Sequence, residues 1–229
     1  MIISGLQKFS LIDYPGKCTA ILFTRGCNMR CHYCHNPELV LPSCFAKEIP
    51  LADIFSFLES RKGKLDAVSI TGGEPTEHRD LLDLLKRLKE MGFFVKLDSN
   101  GSRPEVLKSA IEQRLVDYLA MDVKAPLDEY SKIIGTRVPA EKLRQSIEII
   151  MSSGLEYEFR TTIVKSLTSI DDLKKIAKTI RHAKKYFLQR FIPTKLVDEN
   201  YRHDISYSYD ELEELSVELM NDVEFCGVR

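Results

Sequence analysis

The sequence predicts an α/β protein built on parallel strands, and three observations carry that prediction. Six short apolar runs recur along the 229 residues, at 20–23, 67–70, 93–97, 119–123, 159–164 and 187–191. Segments with helical apolar spacing lie between them, and turn residues separate the two kinds of segment. A strand followed by a helix and then another strand returns in the same direction, so six repetitions imply a parallel sheet. Alternation alone leaves an open doubly wound sheet and a barrel both standing.

Each element has a local reason. In RDLLDLLKRLKEMG, Leu81, Leu84, Leu85, Leu88 and Met91 fall on one helical face, and Gly92 ends the helix. EKLRQSIEIIMSSG repeats the design with Leu143, Ile147, Ile150 and Met151 as the buried stripe and Gly154 as the stop. Asp171 and Asp172 suit the first turn of the next helix, where the backbone N–H groups favour negative charge. The basic stretch KKIAKTIRHAKK reads as a solvated helix face, with a docking surface for an acidic electron carrier as the sharper alternative.

Composition sets limits. A hydrophobic fraction of 44% and a charged fraction of 29% suit an ordinary globular core. With 33 Lys and Arg against 34 Asp and Glu, no overall field attracts nucleic acid or an anionic membrane. The opening MIISGLQKFSLIDYPG lacks a basic stretch followed by a long apolar run, and nothing approaches a membrane span, so a cytoplasmic protein is expected. Of six cysteines, three crowd into FTRGCNMRCHYCHNP, which points to a metal rather than to disulfide bridges. Cys18, Cys44 and Cys226 stand alone and read as packing residues.

Cys27, Cys31 and Cys34 lie on the loop leaving the first strong strand, at the carboxyl end where α/β proteins place their chemistry. Three thiolates at CxxxCxxC spacing can hold three irons of a cubane and leave the fourth open. The same letters admit a zinc site completed by His32 or His35, and the CxxCH of c-type haem attachment. Haem leaves Cys27 unexplained. Zinc leaves SITGGEP unexplained: at the end of the second strand, Gly72 and Gly73 permit close approach of the backbone to a ligand, and Glu74 supplies an acceptor for an ammonium.

Together these residues resemble the radical S-adenosylmethionine superfamily, which combines a CxxxCxxC loop with a GGE motif. GCNMRCHYCHNP, with SLIDYPG at 10–16, LDSNG at 97–101 and MDVK at 121–124, is similar to the glycyl-radical-enzyme activases, and most to the longer form of the activating proteins of anaerobic ribonucleoside-triphosphate reductase. The resemblance runs from about residue 12 to about residue 160. It implies a partial (β/α)6 barrel with a short N-terminal β extension: one unit over 1–229, with 1–17 the extension, 18–222 the barrel core and 223–229 a tail.

It also implies one [4Fe-4S] cluster on Cys27, Cys31 and Cys34, and S-adenosylmethionine as the second cofactor. Tyr33 would lie beside the adenine. Gly72, Gly73 and Glu74 would meet the methionyl amine, Asp98, Asn100, Asp122 and Lys124 would line the neighbouring strand ends, and Arg160 would face the methionyl carboxylate. Asp13 would face the glycyl-radical partner. In that family an electron, here expected from a flavodoxin- or ferredoxin-type donor, breaks a carbon–sulfur bond of the cofactor. The resulting 5′-deoxyadenosyl radical takes a hydrogen from a glycine Cα of the partner. One departure stands out: FLQRFIP at 187–193 lacks the histidine some activases place near the ribose, and Gln189 is the candidate substitute. A radical enzyme acting on a small molecule, such as one that forms deazapurines, and a zinc-binding interaction module are the alternative functions.

Overall fold

The computed structural model describes residues 1–229. All six apolar runs form strands, and two further strands flank them. β1 (Ile3–Ser10) pairs antiparallel with β2 (Thr19–Thr24). From β2 onward every pairing is parallel, through β3 (Ala67–Gly72), β4 (Phe94–Ser99), β5 (Tyr118–Asp122), β6 (Glu156–Ile163), β7 (Tyr186–Arg190) and β8 (Cys226–Val228).

The sheet order is β1 to β8 without a crossover. That order decides between the two architectures left open by alternation. A doubly wound sheet reverses its strand order at a switch point, whereas strands added in sequence wind a barrel. Here β1 and β8 are edges that do not pair with each other, so the barrel is partial. The stretch 223–229, expected as a tail, instead carries the eighth strand. The strand itself is only CGV, too short a run to signal a strand; the backbone of β7 supplies the template.

Eight helices connect the strands: α1 (Pro37–Val40), α2 (Leu51–Glu59), α3 (Leu81–Glu90), α4 (Pro104–Glu112), α5 (Tyr130–Ile134), α6 (Ala140–Met151), α7 (Ile170–Thr179) and α8 (Tyr209–Leu219). α3 buries Leu81, Leu84, Leu85 and Leu88, and α6 buries Leu143, Ile147 and Ile150, as the spacing requires. At α7 the acidic pair has a sharper role than charge alone. Asp172 closes a capping box with Ser169, each side chain bonding the other's backbone N–H at 3.0–3.1 Å. The basic stretch on and after α7 is largely paired within the chain: Lys174 with Glu218, Arg181 with Asp222, and Lys184 and Lys185 with Glu156. A core cluster of 51 buried residues runs between sheet and helices. No helix is long and apolar enough to cross a membrane.

Candidate active site

The loop after β2 carries the three clustered cysteines, and backbone bonds hold it from three sides. Gly26 N donates to Leu39 O (2.7 Å), and Arg30 N donates to Ile134 O (2.7 Å). Val197 N and Asp198 N donate to Cys34 O (2.9 Å) and His32 O (3.1 Å). His32 adds a 3.2 Å contact from Nδ1 to the Asp198 carboxylate and stacks on Tyr201. His35 stacks on Phe191 with ring centroids 5.3 Å apart. Both histidines thus pack the loop.

The three thiols line one cavity of about 190 Å³ at the carboxyl ends of the strands. Every cofactor-side residue named from the sequence lines it: Tyr33 on the cysteine loop, Gly72, Gly73 and Glu74 after β3, Asp98 and Asn100 at β4, Asp122 and Lys124 at β5, and Arg160 on β6. Asp13 and Gln189 do not. Asp13 sits in the loop between β1 and β2, at the opposite end of the parallel strands, with its carboxylate 3.4 Å from Lys96 Nζ.

The GGE motif does more inside the protein than its letters suggest. Gly73 N donates to Thr24 O (2.8 Å) and Glu74 N to Gly26 O (2.7 Å), so the motif prolongs the β2–β3 ladder into the cysteine loop. A Cβ on Gly73 would lie 2.0 Å from Gly26 O, and one on Gly72 would lie 2.4 Å from Thr24 N. The glycines are therefore required first by the approach of the neighbouring backbone, whereas the sequence suggested approach to a ligand. Glu74 is buried, and its Oε1 accepts from Thr76 N (3.2 Å), the Thr76 hydroxyl and Ser99 Oγ (2.9 Å). Its Oε2 accepts only from Asn100 N (2.7 Å). Burial raises the Glu74 carboxyl above its ordinary range, against the pull of these donors.

A line of alternating charges fills the inner face of the sheet. Lys96 is fully buried and meets Asp98 (2.7 Å) as well as Asp13. Arg160 reaches Asp98 Oδ2 with both terminal nitrogens (3.1 Å) and Asp122 Oδ1 with Nε (2.9 Å). Lys124 completes the line on Asp122 (3.1 Å). Burial alone would raise the carboxyls of Asp98 and Asp122. Burial is the largest single influence, but Arg160 and Lys96 together outweigh it at Asp98, and Arg160 and Lys124 together outweigh it at Asp122, so both lie below the ordinary carboxylate range. A branch runs from Arg160 to Glu158 (3.9 Å), which Arg229 grips with two bonds of 2.9 and 3.0 Å.

Lys96, Ser99, Glu158 and Arg229 were not foreseen as part of the site. For Lys96 and Glu158 the available signal was period-two polarity within apolar strands: Lys96, Asp98 and Asn100 alternate, as do Glu158, Arg160 and Thr162, which places each set on one face.

Comparison with known proteins fits this geometry. The Radical SAM superfamily model matches residues 21–180. The Methanocaldococcus jannaschii protein named "Putative glycyl-radical enzyme activating enzyme MJ1227" is 35% identical over 219 residues, 93% of this chain and 90% of that one. Pyruvate formate-lyase-activating enzyme of Clostridium pasteurianum is 26% identical over 234 residues, covering 97% of this chain and 94% of its own. Among solved structures, Streptococcus suis SuiB superposes with a TM-score of 0.67 at 15% identity over 91% of this chain, which spans about half (48%) of SuiB. The chain belongs to the radical SAM superfamily. Within it, the chain is an enzyme of the glycyl-radical-enzyme activase group, whose cofactors are a [4Fe-4S] cluster and S-adenosylmethionine.

The cavity residues fit those cofactors. No three His, Cys, Asp or Glu side chains converge on one point able to hold a single metal ion. Tetrahedral zinc would gather the sulfurs to about 3.8 Å of one another around 2.3 Å bonds, whereas a cubane spreads its thiolates over separate irons. Burial pushes Cys27 up to about 12 and Cys31 up to about 11, and raises Cys34 also, with Lys124 pulling all three the other way. Thiols shifted in this way would stay protonated without a metal and would lose their protons to solvent as a cationic iron centre took the thiolates. Tyr33 Oη and His35 Nε2, both buried in residues lining the cavity, have no partner within the protein and are available to a ligand.

Proposed function

We propose that this protein installs a glycyl radical on a partner enzyme, and that the partner is an anaerobic ribonucleoside-triphosphate reductase. The observation that carries the first part is the distribution of unspent valences around the thiol cavity. Oε2 of Glu74 has one donor and room for another. Arg160 commits three of its five N–H groups, and Lys124 one of three. An amino-acid head group would find an acceptor for its ammonium at Glu74 and donors for its carboxylate at Arg160 and Lys124, beside the thiols.

In this reading Cys27, Cys31 and Cys34 hold the cluster, Tyr33 flanks the adenine, and a flavodoxin- or ferredoxin-type protein delivers the electron. The bound cofactors supply reductive cleavage of the sulfonium and the 5′-deoxyadenosyl radical that abstracts a glycine Cα hydrogen. The chain's own residues orient the head group through Glu74, Lys124 and Arg160, and the buried walls exclude water. SLIDYPG, LDSNG and MDVK support an activase, and the resemblance to the longer form of the reductase-activating proteins supports the reductase as partner.

Anaerobic reconstitution with iron and sulfide should give a brown protein that converts S-adenosylmethionine to 5′-deoxyadenosine with dithionite. Cys31→Ala should lose the cluster. Cys44→Ala should keep it, because Cys44 is exposed and does not line the cavity. Mixing the reduced protein with S-adenosylmethionine and purified reductase should produce a glycyl-radical signal in electron paramagnetic resonance. A signal on pyruvate formate-lyase but not on the reductase would overturn the choice of partner, and stoichiometric zinc without iron would overturn the cluster.

A further inference from the structure

Cys27 differs from the other two thiols in what surrounds it. Its Sγ accepts from the Met29 backbone N–H at 3.3 Å and also lies 3.9 Å from Nδ2 of Asn100, the length of a weak N–H···S contact. The orientation of that amide follows from its neighbours. Asn100 Oδ1 accepts from Ser102 N (2.9 Å), Asn100 Nδ2 donates to Asn28 Oδ1 (2.9 Å), and Asn28 Nδ2 donates to Ser102 Oγ (2.8 Å). Turning the Asn100 amide over would set its oxygen against Asn28 Oδ1 and its NH₂ against the Ser102 N–H, two repulsions in place of two bonds. Asn100 and Ser102 are buried, so water does not relieve such a mismatch. One Nδ2 hydrogen goes to Asn28, which leaves the second for Cys27.

The backbone of Asn100 is pinned as well, through its N–H on Glu74. The donor is thus held by the GGE segment on one side and by the cysteine loop, through Asn28, on the other. Hydrogen bonds to cluster sulfurs withdraw charge from the thiolate and favour the more negative, reduced cluster, and partners behind the ligand fix its orientation.

We propose that Asn28, Asn100 and Ser102 form a positioning unit for the iron corner at Cys27, in which Asn100 donates to the thiolate and raises the cluster's reduction potential. This rests on Cys27 being a cluster ligand. The test is redox potentiometry of the reconstituted full-length chain, monitored by electron paramagnetic resonance, without S-adenosylmethionine or partner. Asn100→Leu keeps the approximate volume and removes the donor, so its midpoint potential should move negative with iron per chain unchanged. Asn28→Ala keeps the donor but frees it to turn, so its midpoint should move the same way by less. If Asn100→Leu takes up no iron, Asn28→Ala decides alone. A midpoint that stays put or moves positive overturns the proposal. Failure of the underlying reading has a different signature: Cys27→Ala would retain the full cluster.

Discussion

Gly73→Ala tests whether the GGE segment is first a structural joint. The added methyl would sit 2.0 Å from Gly26 O and 2.6 Å from Gly26 C, where carbon contacts are normally about 3.5 Å or longer. Both atoms are backbone, so no side-chain rotation relieves the overlap. The end of β3 has to move away from residues 24–26, which stretches Gly73 N to Thr24 O and Glu74 N to Gly26 O together. Weakening two hydrogen bonds costs about 1 kcal/mol in all. Overpacking adds about 2 kcal/mol. At roughly 2–4 °C per kcal/mol for a chain of this size, the iron-free protein should melt about 6–12 °C lower. The assay is thermal unfolding by circular dichroism, followed by iron uptake, which should fall too because Gly26 adjoins Cys27. A variant melting within about 2 °C of the wild type would refute the reasoning.

Lys96→Met should destabilise the fold by about 3 kcal/mol, the lower end for breaking a buried pair, because Asp98 keeps Arg160 when its second cation is lost. Urea unfolding measures it, and an unchanged midpoint would sink the estimate. Acid should weaken the fold through Asp98 and Asp122. Their folded values lie below their unfolded ones, so the stability they contribute is present above about pH 4 and is lost as the pH falls further. Glu74, shifted upward, works in the opposite sense and offsets part of the loss. The stability gap between wild type and Asp98→Asn should therefore narrow from pH 5 to pH 3, and a gap that is constant or widening contradicts the assignment.

The parallel strands were legible in the sequence because strands buried on both faces advertise themselves as apolar runs, and helices such as α3 carry four leucines on one face, whereas the barrel followed only from the family resemblance. What was illegible depended on tertiary neighbours. β8 borrows its conformation from β7, and nothing in CGV announces that. The cavity residues were legible as a set, since strand ends in an α/β protein all point to one mouth. Their bonding was not. Glu74 read as an acceptor awaiting a ligand, yet four donors from residues 76, 99 and 100 already serve it. Asp13 read as a residue of the partner's face because its motif resembles that of the activases, while its bond to Lys96 joins two segments 83 residues apart and leaves no local trace.

The inner face of the sheet spends heavily on charge. From Asp13 through Lys96, Asp98, Arg160 and Asp122 to Lys124 the signs alternate without a break, and Glu158 with Arg229 adds a balanced branch, so four cations meet four carboxylates. Neutrality is what allows such a line to be buried at all, since each carboxylate on the main line beyond Asp13 lies between two cations. Yet apolar side chains of similar volume would fold as well or better in the same space, because desolvating ions consumes most of what their attraction returns. Stability therefore does not explain why this face is charged. Position does: Asp98 and Asp122 clamp Arg160 from both sides, and Asp122 also holds Lys124 at the cavity, next to the thiols. In the proposed function, a guanidinium and an ammonium fixed in this way would meet a ligand carboxylate with their rotamers already chosen, so the ordering cost would be met in folding rather than at each binding event.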